Sequence, residues 1–105
     1  MAAEPSDVVV SDAPERKRFE AHIDGALAGF LEYIRNPGFV VYPHTEVDNA
    51  FEGRGVGGAL ARAALDDARA RGIRVLATCP FVASWMRRHP EYTDLAYQSS
   101  GSAKD

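Results

Sequence analysis

The run Glu52-Gly53-Arg54-Gly55-Val56-Gly57-Gly58 constrains this chain more than any other feature, because it follows an extended apolar segment and opens a long Ala-rich stretch of helical period. Glycines let the backbone turn sharply and approach a ligand closely, and the first N–H groups of a helix point outward with the positive end of its dipole. The turn is therefore a candidate anion cradle, although glycine-rich strand-to-helix turns also serve as plain tight connections. No Lys-Ser or Lys-Thr follows the last glycine, which removes the phosphate and magnesium contacts of a nucleoside-triphosphate loop. The spacing also departs from G-x-G-x-x-G, and a chain of 105 residues has no room for two mononucleotide-binding halves. A kinase, an ATPase and a dinucleotide-binding fold are all disfavoured.

At this length one domain with one core is expected, burying about two-thirds of the surface that the unfolded chain exposes. A content of 46% hydrophobic and 26% charged residues is that of a globular chain rather than a disordered one. The net charge of −3 gives no footprint for nucleic acid, but Arg54, Arg62, Arg69, Arg71, Arg74, Arg87 and Arg88 concentrate basic charge in the second half, which suits a local anion site. The single cysteine, Cys79, cannot form an internal disulfide, and no cluster has metal-ligand spacing, so an intracellular, metal-free protein is expected. Residues 1–10 resemble neither a signal peptide nor a membrane span, which makes the cytoplasm the default location and leaves no membrane partner to expect. Oligomeric state stays open.

Residues 1–7 and 98–105 read as flexible ends around a single domain at 8–97. Phe19, Ala21 and Ile23 alternate with polar neighbours as in a half-buried strand, and Asp24-Gly25 supplies a hairpin turn. A second strand fits Ala26 to Arg35, with Leu27, Leu31 and Tyr33 on one face, and Asn36-Pro37-Gly38 turns the chain into a third strand, Phe39 to Asp48. Pro43 cannot donate to a ladder, so it predicts a bulge, a splay or a partly unpaired edge within that strand. Val56, Leu60, Ala63, Ala64 and Ala68 predict a helix over Val56–Arg71, with Asp67 and Arg71 as an (i, i+4) pair and Gly72 at the C-cap. A short strand over Ile73–Thr78 follows, and Phe81, Val82, Trp85, Met86 and His89 then line one face of a last helix that Pro90 ends.

The strand end His44-Thr45-Glu46-Val47, the turn Glu52 to Gly57, the helix from Gly58 to Arg71 and the strand end Cys79-Pro80-Phe81 together resemble the GCN5-related N-acetyltransferases. The resemblance is closest to their small single-domain YidJ-type branch, runs from Phe19 to Tyr97, and includes Ala68-Arg69, Arg88-His89-Pro90-Glu91-Tyr92 and Asp94-Leu95. It implies an α/β (α+β) fold with a central, mostly antiparallel sheet flanked by helices and a V-shaped splay between the fourth and fifth strands. It also implies acetyl-CoA as cosubstrate and an amine acceptor of unidentified kind. Carried over by position, the amides of Arg54, Gly55, Val56, Gly57 and Gly58 would meet the pyrophosphate, and Val47 would offer its main chain to pantetheine. Two departures stand out. The turn opens with Glu52 where the family has Gln or Arg, leaving Arg54 to balance charge. Cys79 and Met86 occupy the places where many relatives carry Asn and the Tyr that protonates the leaving thiolate.

Amine acetylation needs a neutral amine, an aligned thioester, donors for the developing oxyanion and a proton for the departing thiolate. Glu46, just before the turn, is the candidate base, against an ordinary strand-end charge. His44 lies on the same strand face by the period of two and is a candidate to assist or replace it, or a structural histidine. Cys79 falls where the resemblance puts the thioester, as proton donor, as acetyl-carrying nucleophile or as an inert buried thiol; of the two active roles, the proton-handling one is preferred. Thr45 is either an orienting hydroxyl or a residue chosen for strand propensity. Phe81, Trp85 and Met86 are either pocket wall or core. Two functions follow: an N-acetyltransferase acting by direct transfer in a ternary complex, or a non-catalytic acyl-CoA-binding or interaction module.

Overall fold

Turn chemistry and alternation build the sheet. The computed structural model describes residues 7–97. Strands β1 (Val8–Ala13), β2 (Arg18–Ile23), β3 (Ala26–Asn36) and β4 (Phe39–Val47) form a consecutive antiparallel meander, and β5 (Arg74–Ala77) joins β4 in parallel after helix α1 (Val56–Arg71). Helix α2 (Pro80–Arg88) and a 3-10 segment, Pro90–Leu95, complete the described chain. Asp24 and Gly25, at φ +50° and +82°, make the tight hairpin turn between β2 and β3. Gly72, also left-handed, caps α1 with its N–H on the carbonyls of Ala68 and Arg69. Arg71 Nε donates to Asp67 Oδ2 at 2.7 Å, the expected pair.

One face of the sheet is covered and the other is open. Phe19, Ala21, Leu31, Tyr33, Val40 and Tyr42 point to the covered side and meet Leu60, Ala64, Leu65 and Ala68 of α1. Val82, Trp85 and Met86 of α2 join that core, whereas Phe81 of the expected stripe is 37% exposed and lies with its ring against Gly57 at the start of α1. Burying each such large side chain is worth about 1.5–3 kcal/mol relative to leaving it exposed. Tyr42 donates its O–H to the Ala64 carbonyl at 2.6 Å, fixing strand to helix inside this layer, and burial pushes its phenol pKa well up. The opposite face carries Arg18, Glu20 and His22 of β2, Phe30 and Glu32 of β3, and His44 and Glu46 of β4.

Two expectations about the sheet need correction. Val8–Ala13 forms a strand of its own along β2, with Val8 and Val10 packed against the core and Val9 62% exposed. Leu27 does not share a face with Leu31 and Tyr33. A bulge at Ala28 changes the register with β2, so Leu27 lies opposite His22 on the open face while Ala28 is wholly buried. Of the ends expected to be flexible, 1–7 and 98–105, residues 1–6 and 98–105 lie outside the described residues, whereas Asp7 carries a carboxylate that pairs with the Arg54 guanidinium. No described helix is long and apolar enough to cross a membrane.

Candidate active site

The site grows from the point where β4 leaves β5. The parallel ladder runs from Phe39–Arg74 to Tyr42–Ala77, and one further bond, from the Cys79 N–H to the Tyr42 carbonyl at 3.0 Å, ends it. Cys79 is the N-cap of α2 and Pro80 its first residue, so the chain turns into a helix at this point and cannot extend β5. From His44 to Val47, β4 is paired on its β3 side alone among the described residues. This is the splay that Pro43 predicted, and it also falls beside a register shift between Glu32 and Ile34 of β3.

Alternation distributes the side chains of the splayed half to the two faces. His44 and Glu46 are exposed on the open face, and His44 Nε2 lies 2.8 Å from Glu46 Oε2. A carboxylate can only accept, so the imidazole donates through Nε2. Thr45 points the other way, into the splay, and accepts the Cys79 S–H at 3.5 Å. Cys79 is buried, 4% exposed. The structure thus joins His44 to Glu46 and Cys79 to Thr45, on opposite sides of one strand. The Thr45–Cys79 contact could not be read from sequence, since it depends on where a parallel ladder stops.

The glycine turn has separable causes. Gly55, at φ +80°, is the N-cap of α1, a left-handed conformation that a side chain would strain. Gly57 answers to packing: a Cβ there would come within 2.8 Å of the Phe81 ring of α2. The amides of Val56, Gly57 and Gly58 are the first of the helix and have no intrahelical acceptor, so they form an outward-facing donor set with Gly55 at its mouth. Arg54 differs, because its N–H already donates to the Phe51 carbonyl at 3.2 Å and its guanidinium is matched by Asp7. Val47, the expected pantetheine partner, pairs with Gly29 of β3 and packs against the core. Val56 meets Gly29 from the covered side: a Cβ on Gly29 would lie 3.0 Å from the Val56 methyl and 2.6 Å from the Glu46 carbonyl oxygen. The start of α1 is therefore seated directly on the splayed end of the sheet.

A donor set of this kind suits a pyrophosphate, and the main-chain edge of β4 beyond Tyr42 suits an extended amide-bearing arm; both belong to acetyl-CoA. Among the described residues no group of three or more His, Cys, Asp or Glu side chains is placed to hold a metal ion. Met86, where the resemblance would place the thiolate-protonating hydroxyl, is buried in the core and offers no O–H. His89 stacks on Trp85 at 3.6 Å and donates through Nδ1 to the Trp85 carbonyl at 2.8 Å, which gives it a structural task in closing α2. Arg88 donates to Ser84 at 2.6 Å.

Comparison with known proteins agrees with this architecture. Residues 18–95 match the family model for the GCN5-related N-acetyl-transferases, and the chain belongs to that family. It is 28% identical over 88 residues to Protein NATD1 of Xenopus tropicalis, covering 81% of this chain and 80% of that protein. The solution structure of a GCN5-like protein from Staphylococcus aureus superposes with a TM-score of 0.67 at 20% identity, over 90% of this chain and 93% of that one. The ribosomal-protein-S18-alanine N-acetyltransferase of Escherichia coli shares the fold with a TM-score of 0.60 at 15% identity, over 80% of this chain and 52% of the enzyme.

Proposed function

We propose that this protein transfers the acetyl group of acetyl-CoA to a primary amine by direct transfer in a ternary complex. The observation that carries the reading is the splayed half of β4, which presents a His44–Glu46 pair on one side and a Thr45–Cys79 contact on the other, beside the amides that open α1. Glu46, assisted by His44, takes one proton from the incoming ammonium. The neutral amine then forms the C–N bond as the thioester C–S bond breaks, and the nitrogen gives up its second proton. In this reading Cys79 passes a proton to the departing thiolate and is reprotonated by the one the nitrogen loses. Thr45, whose hydroxyl can donate as well as accept, supports the cysteine sulfur in either state. Gly55, Val56, Gly57 and Gly58 hold the pyrophosphate through their amides, with the carried-over Arg54 contributing its side chain once it leaves Asp7. Val47 and its strand edge align the pantetheine arm.

The second reading, an acyl-CoA-binding module without turnover, is favoured by one observation, the buried Met86 in place of a hydroxyl donor. Thermal unfolding with acetyl-CoA, free CoA and ATP tests the common premise. Saturation at about 100 times the dissociation constant adds roughly 2.7 kcal/mol and raises the midpoint by several degrees, and ATP should not do so. No shift at millimolar acetyl-CoA would sink both readings. A shift with no turnover on any amine would leave the module.

A further inference from the structure

The open face of the sheet contains a cleft of about 150 Å³ whose origin lies in the β3 bulge. Strict alternation from Phe30 would send the side chain of residue 28 outward. The bulge instead buries Ala28, and Gly29 brings no side chain, so nothing projects from the open face between Leu27 and Phe30. The gap is walled by Leu27, 41% exposed, and Phe30, floored by the backbone of Ala28 and Gly29, and closed along β4 by Glu46, Val47 and Asp48. Its volume is that of about five water molecules, enough for a short run of methylenes.

The charges around it are sorted. Arg18 stacks over the Phe30 ring at 4.2 Å, and His22 stands opposite Leu27, yet both approach Glu20, at 2.9 Å and 3.9 Å. Glu20 is only 8% exposed, the Arg18 hydrogen bond holds its carboxyl below the usual range, and neither Arg18 nor His22 lines the cleft. The carboxylates that line the cleft are Glu46 and Asp48. Glu46 Oε2 bonds His44, and Asp48 Oδ1 caps the Ala50 N–H at 2.8 Å, but each carboxylate offers several acceptor sites. Two apolar walls leading to two carboxylates are complementary to a methylene stem ending in an ammonium.

We propose that this cleft is the acceptor subsite and that it selects an unbranched alkylammonium, the chemistry shared by a lysine side chain and a linear diamine; this rests on the acetyltransferase reading above. Leu27 and Phe30 hold the methylenes, and Glu46 and Asp48 hold the charge. Glu46 belongs to both subsite and splay, so the bound nitrogen lies next to the group that deprotonates it. An amino sugar would leave its hydroxyls against Leu27 and Phe30 without partners, and an aromatic amine, neutral at pH 7, would not answer the carboxylates.

The test is a two-dimensional NMR titration of isotope-labelled protein saturated with CoA, which cannot turn over, using N-acetyl-lysine-methylamide, 1,4-diaminobutane, glucosamine and aniline. The expected result is that the alkylammonium compounds shift the signals of residues 27–30 and 46–48, while glucosamine and aniline do not; the two alkylammonium arms separate a peptide lysine from a free diamine. Phe30→Ala and Leu27→Arg should each weaken that binding about tenfold and leave CoA affinity unchanged. Unmoved cleft signals at saturating amine would overturn the proposal, as would unchanged amine affinity in both variants. A failure of CoA to shift residues 55–58 counts against the acetyltransferase reading instead, and the amine titration of the free protein then still decides the cleft.

Discussion

From Phe39 to Val41, β4 is paired with β3 on one edge and β5 on the other, Tyr42 keeps the β5 pairing, and Val40 and Tyr42 are 1% exposed. From His44 to Val47 the same strand keeps β3 and loses β5, and His44 and Glu46 stand in solvent. The first half is paired along both edges and fills a core layer. The second half leaves main-chain donors and acceptors along the splay for something outside the chain. A strand can thus divide its stability from its chemistry within a few residues, provided that its neighbour is made to stop.

The comparison predicts that the two halves respond to mutation in different currencies. Tyr42→Ala should show the largest effect, because it removes a wholly buried ring and its bond to the Ala64 carbonyl. A loss of about 3–5 kcal/mol in urea unfolding is expected, enough to unfold much of the population of a marginal domain. A loss under about 1 kcal/mol would show that the paired half of β4 does not anchor the strand. Glu46→Gln, four residues on, should move stability by no more than about 0.5 kcal/mol, since an exposed side chain is replaced by one of equal shape. Its effect belongs in turnover. Removal of a general base lowers kcat by about 10²-fold or more, some 2.7 kcal/mol in barrier, with acetyl-CoA binding retained. Unchanged kcat on an amine that the parent acetylates would remove Glu46 from the mechanism.

The helical half of this layout was legible because its determinants are local. Gly55, Gly72, the spacing of Leu60, Ala64 and Ala68, and the Asp67–Arg71 pair each act within a turn or two of helix, and all stand where the spacing placed them. The hairpin turns were equally local. What escaped was set at a distance. Val8–Ala13 holds only two partly buried valines, and its strand identity comes from pairing with β2 rather than from its own pattern. The bulge at Ala28 left a trace, since Leu27 and Phe30 are three apart where alternation needs an even step, but the trace is mute about which residue is displaced. With the bulge unread, the cleft and the involvement of Leu27, Phe30 and Asp48 were unreadable too. His44 and Glu46 could be paired from the period of two, whereas Thr45 and Cys79 meet only because β5 ends at Ala77.

The open face offers a control for the second half of β4, on a strand away from the splay. The Glu20 carboxyl is held below its ordinary value of 4.5 by the Arg18 hydrogen bond, with burial acting in the opposite sense. A carboxylate lowered in the fold contributes fully above the unfolded glutamate pKa, and that contribution disappears as pH falls through the lower folded value. Glu20→Gln should therefore be less stable than the parent at pH 7, and the gap in melting temperature should close as pH falls below the ordinary glutamate range. A gap independent of pH would mean that Glu20 acts by packing rather than by charge. With charge confirmed, the same variant should also release Arg18 and His22 toward the cleft and weaken alkylammonium binding without touching the His44–Glu46 pair.

The smallest effect is expected at the residue that first drew attention to the splay. Pro43 withholds one N–H from β4, but β5 has already ended by then: Cys79 bonds Tyr42 and Pro80 starts α2, so the partner strand is gone whatever residue stands at 43. Restoring a donor does not restore a neighbour. Pro43→Ala should therefore change stability by no more than about 0.5 kcal/mol and acetyl-CoA affinity by no more than about threefold, by unfolding and by titration respectively. A much larger loss of affinity would place the cause of the splay in the proline and make the divergence a property of β4 itself. The expected small loss places it in the strand-to-helix turn at Cys79-Pro80, where one cysteine ends the ladder, caps the helix and presents its thiol to Thr45.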